Sequence, residues 1–368
     1  RTCSSGSRRI EDFVYEQLPQ RIVFGWGRLS DLPAELERFS ARRALLVSTR
    51  SAKVVADEVR HRLRPRVVAT IPEARAHAPR EDVDHARSEA RAADVDLVLT
   101  IGGGSATGIG KAIVLEHVVP LVAIPTTYAG SEVTPIYGIT ESRRKRTGRD
   151  DRVLPRTVIY DPQLTTSLPA RATAATGMNA IAHCVEALYA ESVGPVASTL
   201  AEEAIRVLHA TLPLCIEHPE DKAARTGALY GAYLAGTVLA TTGMAIHHRI
   251  CHVLGGTFGL PHGDVNAVVL PHAVAFNEPT TRDAVTRVGK ALGADAAAPA
   301  LFDLSESLGA PTSLRELGMR ESDLEEAASL VVDGDFYNPR PVDFGPVLQL
   351  LEAAFEGRRP ETRQARKG

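Results

Sequence analysis

Cysteine is scarce in this chain of 368 residues. Cys3, Cys184, Cys215 and Cys251 are its only four, and no two stand at zinc-finger or redox-motif spacing. That excludes a disulfide scaffold and a cysteine-held structural metal, and it leads us to expect reduced thiols and a cytoplasmic location. A strong charge of either sign is missing too, since the formal net charge is −3. Neither nucleic acid nor a membrane surface is therefore expected as a partner. Only the stretch R-R-P-E-T-R-Q-A-R-K-G is locally basic, and it reads as a frayed end. The opening residues R-T-C-S-S-G-S-R-R lack an apolar segment, so no secretory signal is expected. Internal repeats and low-complexity blocks are absent. Long uncharged runs are nearly so. The exception is residues 226–246, T-G-A-L-Y-G-A-Y-L-A-G-T-V-L-A-T-T-G-M-A-I, which reach a membrane-spanning length. No other segment looks membranous, and Gly227 and Gly231 form a small-xxx-small pair. We read the run as a buried helix that packs closely on a neighbour.

What the chain does have is a change of pattern near its middle. The first half alternates short apolar runs (R-I-V-F-G-W-G, R-A-L-L-V-S-T, R-V-V-A-T-I, D-L-V-L-T-I, P-L-V-A-I-P) with helix-period segments. Such alternation predicts a parallel, doubly wound sheet. From about Leu164 the segments are long and rich in Ala and Leu, with few strand signals. The expectation is an α/β domain over 1–163 and an all-α domain over 164–368, joined by the turn-rich D-P-Q-L-T-T-S-L-P.

Two loops at strand ends carry the first chemical signal. D-L-V-L-T-I runs into Gly102, Gly103, Gly104 and Ser105, and then into a helix. Glycines there let main-chain N–H groups approach a pyrophosphate at a helix N-terminus. The usual G-x-G-x-x-G spacing is not met, and a tight turn without ligand is the plainer alternative. After the next strand, P-T-T-Y-A-G-S-E-V-T-P offers Thr126, Thr127, Ser131 and Thr134 beside Gly130. Both loops would lie on the carboxyl edge of one sheet, where dinucleotides bind. At the end of R-A-L-L-V-S-T-R-S, where an acid would favour NADH, stand Ser48, Thr49 and Arg50. Nothing there repels a 2′-phosphate, so NADPH is expected to be tolerated.

The second signal is histidine. Asn179 and His183 are four apart in G-M-N-A-I-A-H-C-V-E-A-L-Y, so they share a helix face. His248 and His252 share another in A-I-H-H-R-I-C-H-V-L-G-G, and His262 and His272 each follow a Leu-Pro. A lone histidine on an apolar face is usually a satisfied core residue. Five of the chain's twelve in one short stretch point instead to proton handling or metal binding.

Together G-G-G-S, P-T-T-Y-A-G-S-E-V-T-P, G-M-N-A-I-A-H and H-H-R-I-C-H-V-L-G-G-T-F-G-L-P-H resemble the iron-containing alcohol dehydrogenase superfamily. Within it they are most similar to the maleylacetate reductase branch, which Y-N-P-R-P at Tyr337–Pro341 also resembles. The resemblance implies the dehydroquinate synthase-like architecture, with an active site in the cleft between the domains, and a homodimer, with the R-I-V-F-G strand as its contact. It places the superfamily's metal positions at Asn179, His183, His248 and His262, with Asn179 where metal enzymes carry an aspartate. A neutral amide is a poor ligand for a dication, so no metal is expected; if one binds, His183, His248 and His262 would hold it.

The implied activity is metal-free reduction of the conjugated C=C of maleylacetate to 3-oxoadipate by NADH or NADPH, in the breakdown of aromatic compounds. His252 or His248 would protonate or stabilise an enolate. Arg149, Arg249 and Tyr337 would bind the small dicarboxylic enone. Against the reductase branch stand Gly263, Asp264 and Asn266, in H-G-D-V-N, a form resembling the metal-dependent dehydrogenases. The alternatives are a metal-dependent alcohol or aldehyde oxidoreductase, a relative recruited to a specialised pathway, a dehydroquinate synthase-type lyase, and a nucleotide binder without catalysis.

Overall fold

In the computed structural model of the chain, the described residues are 12–141 and 144–361. Cys3, the opening stretch and most of the basic tail lie outside them. The first half supplies strands β1 (Arg21–Phe24), β2 (Ala44–Ser48), β3 (Val67–Ile71), β4 (Leu97–Gly102) and β5 (Leu121–Pro125). The hairpin β6 (Ile136–Glu141) and β7 (Arg144–Arg149) follows, and then β8 (Thr157–Tyr160). All but the hairpin form one parallel sheet, ordered β1-β8-β5-β4-β2-β3.

Helices α1 (Leu32–Glu37) and α2 (Lys53–Arg62) cover one face, where Leu36 and Val59 pack with Leu46, Leu99 and Ile101. Helices α3 (Arg80–Ala92) and α4 (Gly104–Val114) cover the other, where Val83 and Ile109 pack with Leu45, Val47 and Val98. The continuous apolar runs of β2 and β4 thus divide by alternation between two cores, as a sheet buried on both faces requires.

The second half is helical: α5 (Ala170–Ala187), α6 (Pro195–Glu217), α7 (Lys222–Thr241), α8 (Ile246–Gly256), α9 (His262–Asn277), α10 (Arg282–Ala291), α11 (Ala297–Ser307), α12 (Leu324–Val332) and α13 (Phe344–Glu356). The sheet's last strand ends at Tyr160 and α5 begins at Ala170, with a short 3-10 turn at Pro162–Thr165 between them. Val158 and Tyr160 join the helices' own core, with Ile181, Leu208 and Leu229.

The uncharged run is not one helix. Among the described residues no single helix is long and apolar enough to cross a membrane, and the run bends by 98° between α7 and α8. The Thr241 and Thr242 hydroxyls bond back to Val238 O at 3.1 and 2.9 Å, drawing the main chain out of its helix. The glycine pair does allow close packing. A methyl group on Gly231 would lie 2.7 Å from Leu208, and one on Gly227 2.6 Å from Thr211, both on α6.

Candidate active site

At the carboxyl edge of the sheet, Gly102 adopts φ 143°, a conformation open to glycine, and a methyl group there would lie 2.6 Å from Thr49 Oγ1. A methyl group on Gly103 would lie 2.9 Å from Thr127 Oγ1. The Thr126 amide donates to Gly102 O at 3.1 Å, joining the two loops. Gly103 caps α4 without a side-chain hydrogen bond, leaving the first-turn amides for a ligand. Gly130, at φ 74°, presses the threonine loop onto α7, where a methyl group would meet Gly236 Cα at 2.9 Å. These loops fit a dinucleotide's phosphates.

The cleft beyond them holds a cavity of about 450 Å³, lined by Gly104, Ser105, Ser131 and Thr134 on one side and by Asn179, His183, His248, His252 and His262 on the other. Thr134 does not offer its hydroxyl to a ligand. Its Oγ1 accepts from Lys111 Nζ at 3.0 Å and donates to Ser131 O at 3.1 Å. Lys111 is wholly buried, and its Nζ also donates to the carbonyls of Ser131, Thr134 and Ile136 at 2.6–2.7 Å. Burial pushes Lys111 down to about 7, and nearby Glu132 pushes back. The ammonium fastens loop and hairpin to α4. Thr49 sits apart from the main cavity, lining a second one of about 390 Å³ with Arg50 and Lys53.

The imidazoles form two stacked pairs. His183 and His248 lie deep, with ring centroids 4.8 Å apart and planes 17° apart. His252 and His262 lie nearer the mouth, 5.9 Å apart at 17°. His183 Nδ1 and His248 Nε2 are buried without hydrogen-bond partners. Burial drives both rings well below the ordinary imidazole pKa, and neighbouring histidines add to the effect. His272 lies outside the cavity, edge-on to Phe302.

The sequence reading missed Glu186. Its carboxylate is fully buried, accepting from His248 Nδ1 at 2.6 Å through Oε2 and from the His247 amide at 2.8 Å through Oε1. Burial pushes its pKa up, and His247 opposes that. Glu186 stands three residues after His183 and seven after Asn179, on the same face of α5. That spacing was a usable signal.

The donor set at the superfamily's metal positions is three imidazoles and one amide, His183, His248, His262 and Asn179. Coordinating lone pairs lie in the ring plane, and the His183 and His248 rings are stacked nearly parallel rather than fanned about a common point. Asn179 adds no charge, and Glu186 is spent on His248. Glu186, His247 and His248 do bring ligand atoms within 4.8 Å of one another. They form a closed network instead, in which His247 Nδ1 meets His248 Nδ1 at 3.2 Å and His247 Nε2 meets Asn266 O at 3.1 Å.

The three expected substrate groups are not brought to the cavity. Arg149 donates to Ala240 O at 2.8 Å, at the end of α7. Arg249 donates to Leu330 O and Val331 O, at the end of α12. Both guanidiniums thus neutralise the negative ends of helices. Tyr337 is half-exposed in a separate cavity beside Arg282 and Arg287. The neighbouring Asn338 exchanges hydrogen bonds with Asn277 at 2.9 and 3.0 Å and accepts from the Ile246 amide at 3.3 Å. The Gly263, Asp264 and Asn266 departure lies behind the cavity wall. Gly263 lets α9 approach Ala175, Asp264 pairs with Arg171, and Asn266 donates to His262 O at 2.7 Å.

Comparison with known proteins agrees with this geometry. Residues 19–162 match the iron-containing alcohol dehydrogenase family, and residues 173–355 match its C-terminal region. A maleylacetate reductase of Burkholderia cepacia is 47% identical over 95% of this chain and 99% of its own. One from Delftia acidovorans is 45% identical over 95% and 99%. The crystal structure of maleylacetate reductase from Agrobacterium tumefaciens superimposes with a TM-score of 0.92 at 43% identity, over 95% of this chain and all of that one. The chain is an oxidoreductase that belongs to the iron-containing alcohol dehydrogenase family and is most like its maleylacetate reductases.

Proposed function

We propose that this enzyme reduces the conjugated C=C bond of maleylacetate to 3-oxoadipate with NADH or NADPH and without a metal. The observation that carries this reading is the deep imidazole pair: two buried, unpartnered ring nitrogens in a cleft whose other wall is a dinucleotide turn. The glycine and threonine loops would hold the dinucleotide, which when bound would supply the hydride; conjugation of the alkene to the ketone already provides the electron sink a Lewis acid would otherwise give.

The residues then manage charge and one proton. At rest the deep rings are neutral because burial disfavours imidazolium. A dianionic substrate, and the enolate formed from it, reverse that preference. His248 takes up a proton as ligand binds, with Glu186 on Nδ1 balancing the charge, and donates from Nε2 to the enolate oxygen. His252 is exposed at the mouth, 6.4 Å from the His248 ring, and delivers the proton to the α carbon. That proton and a hydride from the bound cofactor would together balance the reduction of the alkene.

Arg50 and Lys53 line the second cavity beside Thr49, each facing an acid of the same wall, Glu73 at 4.0 Å and Asp57 at 2.6 Å, so a 2′-phosphate would bind there by displacing those pairs. Support for a homodimer comes from β1, which lies at a sheet edge and pairs with β8 alone. The test is NADH and NADPH oxidation with fresh maleylacetate, with and without chelator. Equal rates with and without it are expected. Loss of activity on chelation, restored by added zinc or iron, overturns the metal-free reading. Preference for a simple alcohol overturns the substrate.

A further inference from the structure

The three groups expected to bind the substrate's carboxylates lie outside the cleft, so something else must hold them. Of the other basic groups at the cavity, Lys111 is already hydrogen-bonded to four oxygens, and His183 and His248 lie in its depths, where His248 serves the enolate oxygen. The mouth remains. There the cavity wall includes a histidine from the dinucleotide half, His77, whose ring meets that of His262 edge-on at 6.4 Å. It sits in the loop between β3 and α3, and its backbone is unusual. His77 and Ala78 are consecutive non-glycine residues at φ 65° and 46°. Such conformations cost free energy and persist where surrounding structure enforces them. Here the hairpin enforces them: Thr140 Oγ1 donates to His77 O at 2.8 Å, and the Thr140 amide donates to Ala78 O at 3.1 Å.

We infer that His77 is a substrate-binding residue, donating a hydrogen bond to one carboxylate of the dicarboxylate from across the cleft. This rests on the proposed reduction and extends it. The substrate spans both halves of the molecule, with His252 and His262 on the helical wall and His77 on the other. The strained loop and its hairpin clamp aim the ring.

The experiment compares wild type with His77→Gly and His77→Asn, both of which tolerate the positive φ. His77→Gly is expected to raise KM for maleylacetate about tenfold, the loss of one hydrogen bond to a charged group. Its kcat should change far less, and its dissociation constant for NADPH, read by fluorescence titration, should stay that of wild type. His77→Asn, whose amide still donates, should recover part of the loss. Calorimetric titration of 3-oxoadipate into each NADP⁺-bound protein should show the same ranking. An unchanged KM and product affinity in His77→Gly overturns the inference, as does a parallel loss of NADPH affinity. If wild type neither turns over maleylacetate nor binds 3-oxoadipate, the proposed reaction itself has failed.

Discussion

The deep and outer imidazole pairs of the cleft are built from the same residue type, and both stack at 17°. They differ in surroundings. His183 and His248 lie in the core with a buried carboxylate behind one of them. His252 is exposed and His262 partly so. Burial holds the deep rings well below the ordinary imidazole pKa, whereas the mouth remains in touch with water. One histidine motif thus yields a buried pair and a solvent-connected pair.

The largest expected effect tests that division directly. His248→Ala should lower kcat about 10²–10³-fold and also lower Tm, because Glu186 is left buried without its partner. His252→Ala should lower kcat by a similar order while leaving Tm nearly unchanged. Steady-state kinetics and thermal melts check both, and equal Tm losses would erase the contrast. Next, Glu186→Gln should reduce kcat about tenfold or more by removing the charge behind the imidazolium. It should also move the acid limb of the pH–rate profile, which a purely structural defect would not do.

Acid offers a third test. His247 and His272 are held down to about 4 by burial. Between that value and the ordinary imidazole pKa the unfolded chain binds more protons than the folded one. Stability therefore rises with pH through this window and is lost as pH falls. The loss should be roughly 1.4 kcal/mol per pH unit for each such group. Urea unfolding at pH 7 and pH 5 should show it, and a flat profile would mean the buried rings are charged. The smallest effect concerns the rim: Arg50→Ala should raise KM for NADPH about two- to fivefold and spare NADH, as befits an exposed cation.

The sheet and the glycine and threonine loops were legible because main-chain geometry and apolar alternation write them locally. Asn179, His183, His248 and His252 were legible because a one-turn spacing puts side chains on one face. Glu186 obeys the same rule, seven residues after Asn179 on α5. Arg149 and Arg249 lie off the cavity lining because a guanidinium reaches far, and a helix's carbonyl end attracts it as a carboxylate does. His77 could not be read from the chain, since its place depends on two positive φ angles imposed by a hairpin more than sixty residues away.

Asn338 lies far along the chain from the histidines, yet it grips the first amide of α8 and the last residue of α9 together. The azimuth of α8 about its own axis, and with it the aim of both His248 and His252, is therefore governed from outside the cleft. Variation around Tyr337–Pro341 would retune proton delivery without touching a single group in contact with the substrate.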